Sequence, residues 1–233
     1  MSSSVSTAVL EPADLQLDHD PTRAWRSGLT TVLAAAAPVL FTLSNVVMPV
    51  LHGSNASVVA HIPAVADRLL ATKLGYALSS LLLVFLAVAL WRAGNRRGAV
   101  LRFGGGLLLI IGAVSNALGE VVYGYAGWTM HQAAIAPAGQ VRVLNLLDNS
   151  AAALPLSFLA IPVMSIGLVL AMAGVLRAGT VRWWLPVLAI VGGIAAGFAG
   201  DGIPALIGLV WSVAVAVLVV QIARATPDGL NQA

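Results

Sequence analysis

The chain has 233 residues, 59% of them hydrophobic and only 9% charged, against roughly 25% charged in an ordinary soluble domain. Its formal net charge is +3, but the basic residues stand at the ends of apolar runs rather than in a clustered, solvated patch, which excludes a nucleic-acid surface. The absence of cysteine excludes disulfides and thiolate chemistry, and a mean hydropathy of +0.94 leaves an all-α membrane protein of one domain.

Residues 1–26 are Ser-rich, then acidic (Glu11, Asp14, Asp18, Asp20), then basic at Arg23 and Arg26, as in a disordered tail ending beside a membrane. The acidic segment and the long apolar run after it do not fit a signal peptide. A first span, about Gly28 to Leu51, carries Pro38 and Asn45, the asparagine expected to bond a neighbouring helix. His52, His61 and Pro63 fall in the next connection, where helical spacing resumes at Ala64 and predicts an interfacial helix leading into a second span, about Thr72 to Trp91. Asn55-Ala56-Ser57 matches a glycosylation sequon, a short and common tripeptide.

A basic turn, Arg92 to Gly98, precedes a third span from Ala99 in which Gly104, Gly105 and Gly106 permit close helix approach. Gln132 to Gly139 reads as loop, and Gln140 to Leu147 as a short surface helix. Asp148-Asn149-Ser150 stands where the N-cap of a fourth span, about Ala151 to Leu176, belongs, with Pro155 and Pro162 expected to bend it. A second basic turn, Arg177 to Arg182, leads to Trp183-Trp184 and a fifth span. Asp201 lies in the hairpin before a sixth, about Ile203 to Ala223, where it too is suited to an N-cap. The domain layout is therefore a tail at 1–26, a six-transmembrane-helix bundle at 27–224 and a tail at 225–233.

Nine basic residues (Arg23, Arg26, Arg92, Arg96, Arg97, Arg102, Arg177, Arg182, Arg224) fall on the side of the termini, and three (Arg68, Lys73, Arg142) on the other. The positive-inside rule then predicts cytoplasmic termini. Arg92-Ala93-Gly94-x-x-Arg97, followed by a helix ending at Glu120, is echoed by Arg177-Ala178-Gly179-x-x-Arg182, followed by one ending at Asp201. This suggests a parallel repeat of spans two and three with spans four and five.

Ser115 to His131 breaks the apolar rule. Asn116, Glu120 and Tyr123 share one helix face, and ionisable groups near hydrocarbon cost a few kcal/mol unless paired or facing a polar interior. At 1.5 Å per residue, Glu120 lies about 27 Å above Arg102, close to the far boundary of a hydrocarbon core about 30 Å thick. Asn45, Tyr76, Asn116, Glu120, Tyr123, Trp128, His131, Asn149 and Asp201 are the candidate lining of a polar pocket at that end, with Lys73 or Arg68 as counter-ion. Three classes fit this composition. One is a protein binding an apolar or lipid-like ligand or a membrane partner. Another is an acid–base enzyme with Glu120 as general acid and Tyr123 or Asp148 as helper. The third is a small transporter. No E-x-x-H or H-x-x-x-H pair marks a metal site, and no motif calls for a cofactor.

The Trp91-Arg92-Ala93-Gly94 turn and Arg177-Ala178-Gly179-x-x-Arg182-Trp183, within six spans and a long first outer connection, resemble a broad class of uncharacterised bacterial six-helix membrane proteins with a domain of unknown function. The resemblance implies a fold and no activity. Asn116-x-x-x-Glu120-x-x-Tyr123 is similar to the acidic helix of integral membrane terpene cyclases, which have seven spans and a tryptophan where this chain has Gly119. That likeness implies acid–base chemistry on a prenyl or sterol-like substrate.

Overall fold

The computed structural model describes residues 22–49, 51, 53–94, 96–151, 153, 155–156, 159–198 and 205–225, and among the described residues there are seven helices and no strand. They are α1 (Thr22–Val47), α2 (Asn55–Arg92), α3 (Ala99–Gln132), α4 (Pro137–Asn149), α5 (Ala160–Ala178), α6 (Trp184–Phe198) and α7 (Ala205–Ala225). Five of them, α1, α2, α3, α5 and α7, are long and apolar enough to cross a membrane, and α6 is a shorter apolar helix. The chain is thus an all-α, multi-pass membrane protein by length and composition.

α3 packs between α2 and α5, α1 between α2 and α7, and α6 against α5 and α7. Leu86, Leu90, Leu109, Met172, Leu185, Val215 and Leu218 are fully buried where these helices meet. Outward, Val100, Phe103, Leu107, Ile111, Val114 and Leu118 form an exposed apolar stripe along α3, three or four residues apart as one helix face requires. Such a stripe would be a liability in water and is the expected lipid-facing surface of a span.

Glycine decides how α3 meets α5. Gly98, Gly105, Gly112 and Gly119 recur every seventh residue, and a Cβ at any of them would run into the backbone of Gly174, Gly167 with Ala171, Met164 or Leu156 respectively. A strict seven-residue repeat keeps one face turned to a partner helix, so this row lets the two backbones touch. A second set, Gly106, Gly124 and Gly127, faces Trp91, Lys73 and Leu69 of α2. At the Arg92 end, the buried Arg102 donates from Nη1 to Arg97 O (2.9 Å) and Gly174 O (3.4 Å), and its own carbonyl accepts from Trp91 Nε1 (3.0 Å). The guanidinium thereby occupies the C-terminal end of α5, where positive charge is favoured.

Several boundaries differ from the sequence expectations. α1 starts at Thr22, inside the expected tail. No interfacial helix starts at Ala64, because α2 runs unbroken from Asn55 to Arg92 with Pro63 inside it. Ser54 caps its start by accepting from Ser57 N. Pro63 forfeits one backbone bond, but Val59, Ile62, Ala66 and Leu69 keep one face buried at helical spacing, and that packing carries the helix through. α4 begins at Pro137, a residue suited to a first helical position, rather than at Gln140. α5 is bounded at Ala160, so Pro162 lies in its first turn, where proline is tolerated, while ahead of it Ser150 Oγ accepts from Ala153 N (3.2 Å) as an N-cap does and Pro155 and Leu156 stand in a π-helical turn.

α2 and α3, at 38 and 34 residues, are about 57 and 51 Å long. Both exceed a hydrocarbon core of about 30 Å, so their far ends project beyond it. There Val59, Ile62 and Ala66 of α2, Met130 of α3 and Leu144 of α4 form a separate small apolar cluster. The projecting helical pair and α4 make a cap on the bundle.

Candidate functional site

The antiparallel pair α2 and α3 is laced by polar contacts on the face the sequence singles out. Buried Asn116 donates from Nδ2 to Ser80 Oγ (2.9 Å). One turn on, the Lys73 ammonium lies 2.8 Å from Glu120 Oε2, each side chain 21% exposed, and 5.8 Å from the Tyr76 ring centroid. That carboxylate oxygen is buried and takes no hydrogen bond from any other described residue, so Lys73 is its neutralising partner. Gly124 makes room for this, since a Cβ there would come 2.6 Å from Lys73 Cβ. Measured along the helices from Arg92 and Arg102, Lys73 and Glu120 are both about 27–29 Å from the arginine end. Among the described residues the last exposed large apolar side chain of α2 in this direction is Leu74, next to Lys73, whereas on α3 such side chains continue past Glu120 to Tyr125, and Ile135 and Leu146 are exposed in the cap itself.

Beyond the ion pair, Tyr123 donates from its hydroxyl to Asp148 Oδ1 (2.7 Å), and Asn55 Nδ2 donates to Asp148 Oδ2 (2.9 Å) and Asn145 Oδ1 (2.8 Å). Asp148 therefore ties α4 to both α2 and α3. It lies in the last turn of α4 and is not the N-cap of the next span. Nearby, Trp128 Nε1 donates to Asp67 Oδ1 (2.9 Å).

Hydrogen bonds with a charged partner contribute about 1.5–3 kcal/mol each, less where water competes. Tyr123→Phe and Asp148→Ala are each expected to lower stability by about 1–2 kcal/mol. Because they share one contact, the double variant should cost less than the sum. Thermal unfolding of the four proteins of the cycle measures this, and strict additivity would disprove the link.

The other candidates are dispersed. Asn45 donates to Phe41 O of its own helix (3.2 Å), not to a neighbour, because the carbonyl one turn back is within reach. Buried Tyr76 meets Phe41 edge-on. Asn149 is exposed and donates to Asn145 O (2.7 Å). His131 is half-buried in the last turn of α3. Of the two candidate counter-ions, Lys73 takes Glu120, and Arg68 donates to Val47 O instead. Asp201 and His52 lie outside the described residues. Among the described residues no three His, Asp or Glu side chains could hold a metal ion.

The polar face is thus packed rather than open, and space lies to either side of it. A cavity of about 30 Å³ within the bundle is lined by Ser79, Ser80, Ser165, Trp211 and apolar neighbours. A groove of about 340 Å³ runs in the cap between the first turns of α2 (Ala56, Val59, Ala60, Pro63) and of α4 (Pro137, Ala138, Gln140, Val141). Gln140, 7% exposed, donates from Nε2 to Ile135 O (2.7 Å), while its buried Oε1 has no partner among the described residues. Gln140 carries no signal in sequence beyond an ordinary amide and Asn55 stands out only as the first residue of a sequon, so the docking of α4 on α2 is what reveals their contacts. Comparison with known protein families, with curated proteins and with solved structures finds no match to this chain.

Proposed function

We propose that the chain is a six-span protein of a bacterial plasma membrane, with both termini cytoplasmic and the cap extracytoplasmic, that binds an apolar, lipid-like molecule in the groove between α2 and α4. The groove carries this reading. Its volume, about 340 Å³, is within the range of ligand pockets, which are mostly apolar with a few placed polar groups. Here the walls are Ala, Val and Pro, and the placed group is Gln140 Oε1, an acceptor with no donor among the described residues. A lipid-like molecule bearing one hydroxyl or amide N–H complements both. The orientation is supported by the arginine distribution, and α6 is counted as the sixth span on its apolar composition. The parallel repeat is kept as part of this proposal on the strength of the two Arg-Ala-Gly turns.

Binding is favoured over acid–base catalysis because the Glu120 carboxylate is paired with Lys73 through Oε2 and the Asp148 carboxylate accepts from Tyr123 and Asn55, so both carboxylates already serve to join helices. Native mass spectrometry of the protein purified in mild detergent is expected to show a co-purifying apolar mass, lost on Val59→Trp, which fills the groove. No such mass, or one unaffected by Val59→Trp, would overturn the reading. Turnover of a prenyl substrate abolished by Glu120→Gln would establish the enzyme instead.

A further inference from the structure

The cavity within the bundle is a different site from the groove, and its chemistry is different. Trp211 of α7 is 4% exposed, and its indole Nε1–H has no acceptor among the described residues. A buried donor left without an acceptor is destabilising, so in a well-packed bundle it marks a place where something else accepts. Gly193 of α6 lies beside this nitrogen and lines the cavity with Trp211. A Cβ there would come 3.2 Å from Nε1 and 2.7 Å from Leu168 Cδ2.

Three hydroxyls line the same cavity. Ser79 donates to Ala37 O (2.7 Å) and Ser80 accepts from Asn116 Nδ2 (2.9 Å), so both are held in place by bonds to other groups. Ser165 approaches from α5.

We propose that this cavity binds a hydrogen-bond-accepting oxygen, held by the Trp211 indole N–H over Gly193 and flanked by Ser79, Ser80 and Ser165. The volume of about 30 Å³ takes one or two water-sized groups. The oxygen therefore belongs to water, or to the carbonyl or hydroxyl end of an apolar molecule threaded between the helices. An anion is disfavoured because no cationic side chain among the described residues lines the cavity.

The test is indole ¹⁵N–¹H NMR of the protein in nanodiscs, where six tryptophans give a small set of signals and Trp211→Phe assigns one of them. The Trp211 proton is expected downfield, at the shift of a hydrogen-bonded N–H, and to move upfield in Gly193→Ala, where the added methyl takes the oxygen's place. Should Gly193→Ala not fold, Ser165→Val fills the cavity from the other wall and should produce the same upfield movement. A Trp211 signal at the unbonded position in the wild type, or one unmoved by the variant that folds, would overturn the proposal. Exchange cross-peaks to water identify water as the source of the oxygen, and a bound organic mass in the native spectrum that is lost with Gly193→Ala identifies the end of an apolar ligand.

Discussion

Gly105→Leu is expected to abolish accumulation of folded protein in the membrane, whereas the adjacent Gly104→Leu should be tolerated. A Cβ at Gly105 would overlap the backbone of Ala171 and stand 2.8 Å from Gly167 O, and Gly167 faces the backbone of α3 in the same way, whereas a Cβ at Gly104 meets nothing within 4 Å. Backbone atoms cannot rotate aside, so relief requires α3 and α5 to separate. Inserting single methylenes into a packed core costs about 1–3 kcal/mol. A whole leucine at a backbone contact exceeds that and approaches the 5–15 kcal/mol total stability of a typical domain. Gly105→Ala grades the effect, with an expected loss of about 1–3 kcal/mol and a fall in Tm of roughly 2–12 °C. Gly104→Ala should instead hold or raise Tm, since alanine favours a helix by about 0.8–1 kcal/mol. Equal unfolding temperatures for the two alanine variants would contradict the close α3–α5 contact.

Reversing either charge of the Lys73–Glu120 pair is expected to have the next largest effect. Lys73→Glu sets two carboxylates together and Glu120→Lys two ammonium groups, on a helix face that is only partly open to water. Removing one partner of a fully buried pair costs about 3–5 kcal/mol. With both side chains 21% exposed, water screens part of this, and about 1–3 kcal/mol is expected for each single reversal. The double reversal Lys73→Glu with Glu120→Lys should recover most of the loss. Thermal unfolding in detergent at low and high salt measures it, and a double variant as unstable as the sum of the singles would show that the two residues do not act as a pair.

Much of the fold is legible in the sequence because its signals are local. Apolar runs, arginine turns and the Trp183-Trp184 pair mark where helices start and stop, and the helical spacing of Asn116, Glu120 and Tyr123 correctly puts them on one face. That face turns out to look at α2, with Asn116 on Ser80 and Glu120 on Lys73. The errors arise where packing outweighs a local signal. Pro63 reads as a break, yet the buried row from Val59 to Leu69 carries α2 through it. Asp148 reads as an N-cap, yet Tyr123 and Asn55 claim both of its oxygens from other helices. Gly104 to Gly106 draw the eye as a triplet, although the row that matters, Gly98 to Gly119, is spread over three heptads, and within the triplet only Gly105 belongs to it. Gln140 and Trp211 are ordinary residues in sequence and Asn55 stands out only as the first residue of a sequon, and their roles depend on which helix lies opposite.

The cap and its groove are the centre of the functional account, and because the chain has no cysteine their position can be tested with single-cysteine variants. Ala60→Cys lies in the groove and Arg96→Cys in the basic turn at the opposite end, both at exposed positions. With a membrane-impermeant maleimide, Ala60→Cys is expected to label in intact cells and Arg96→Cys only after permeabilisation. Labelling of Arg96→Cys in intact cells together with protection of Ala60→Cys would contradict an extracytoplasmic ligand groove.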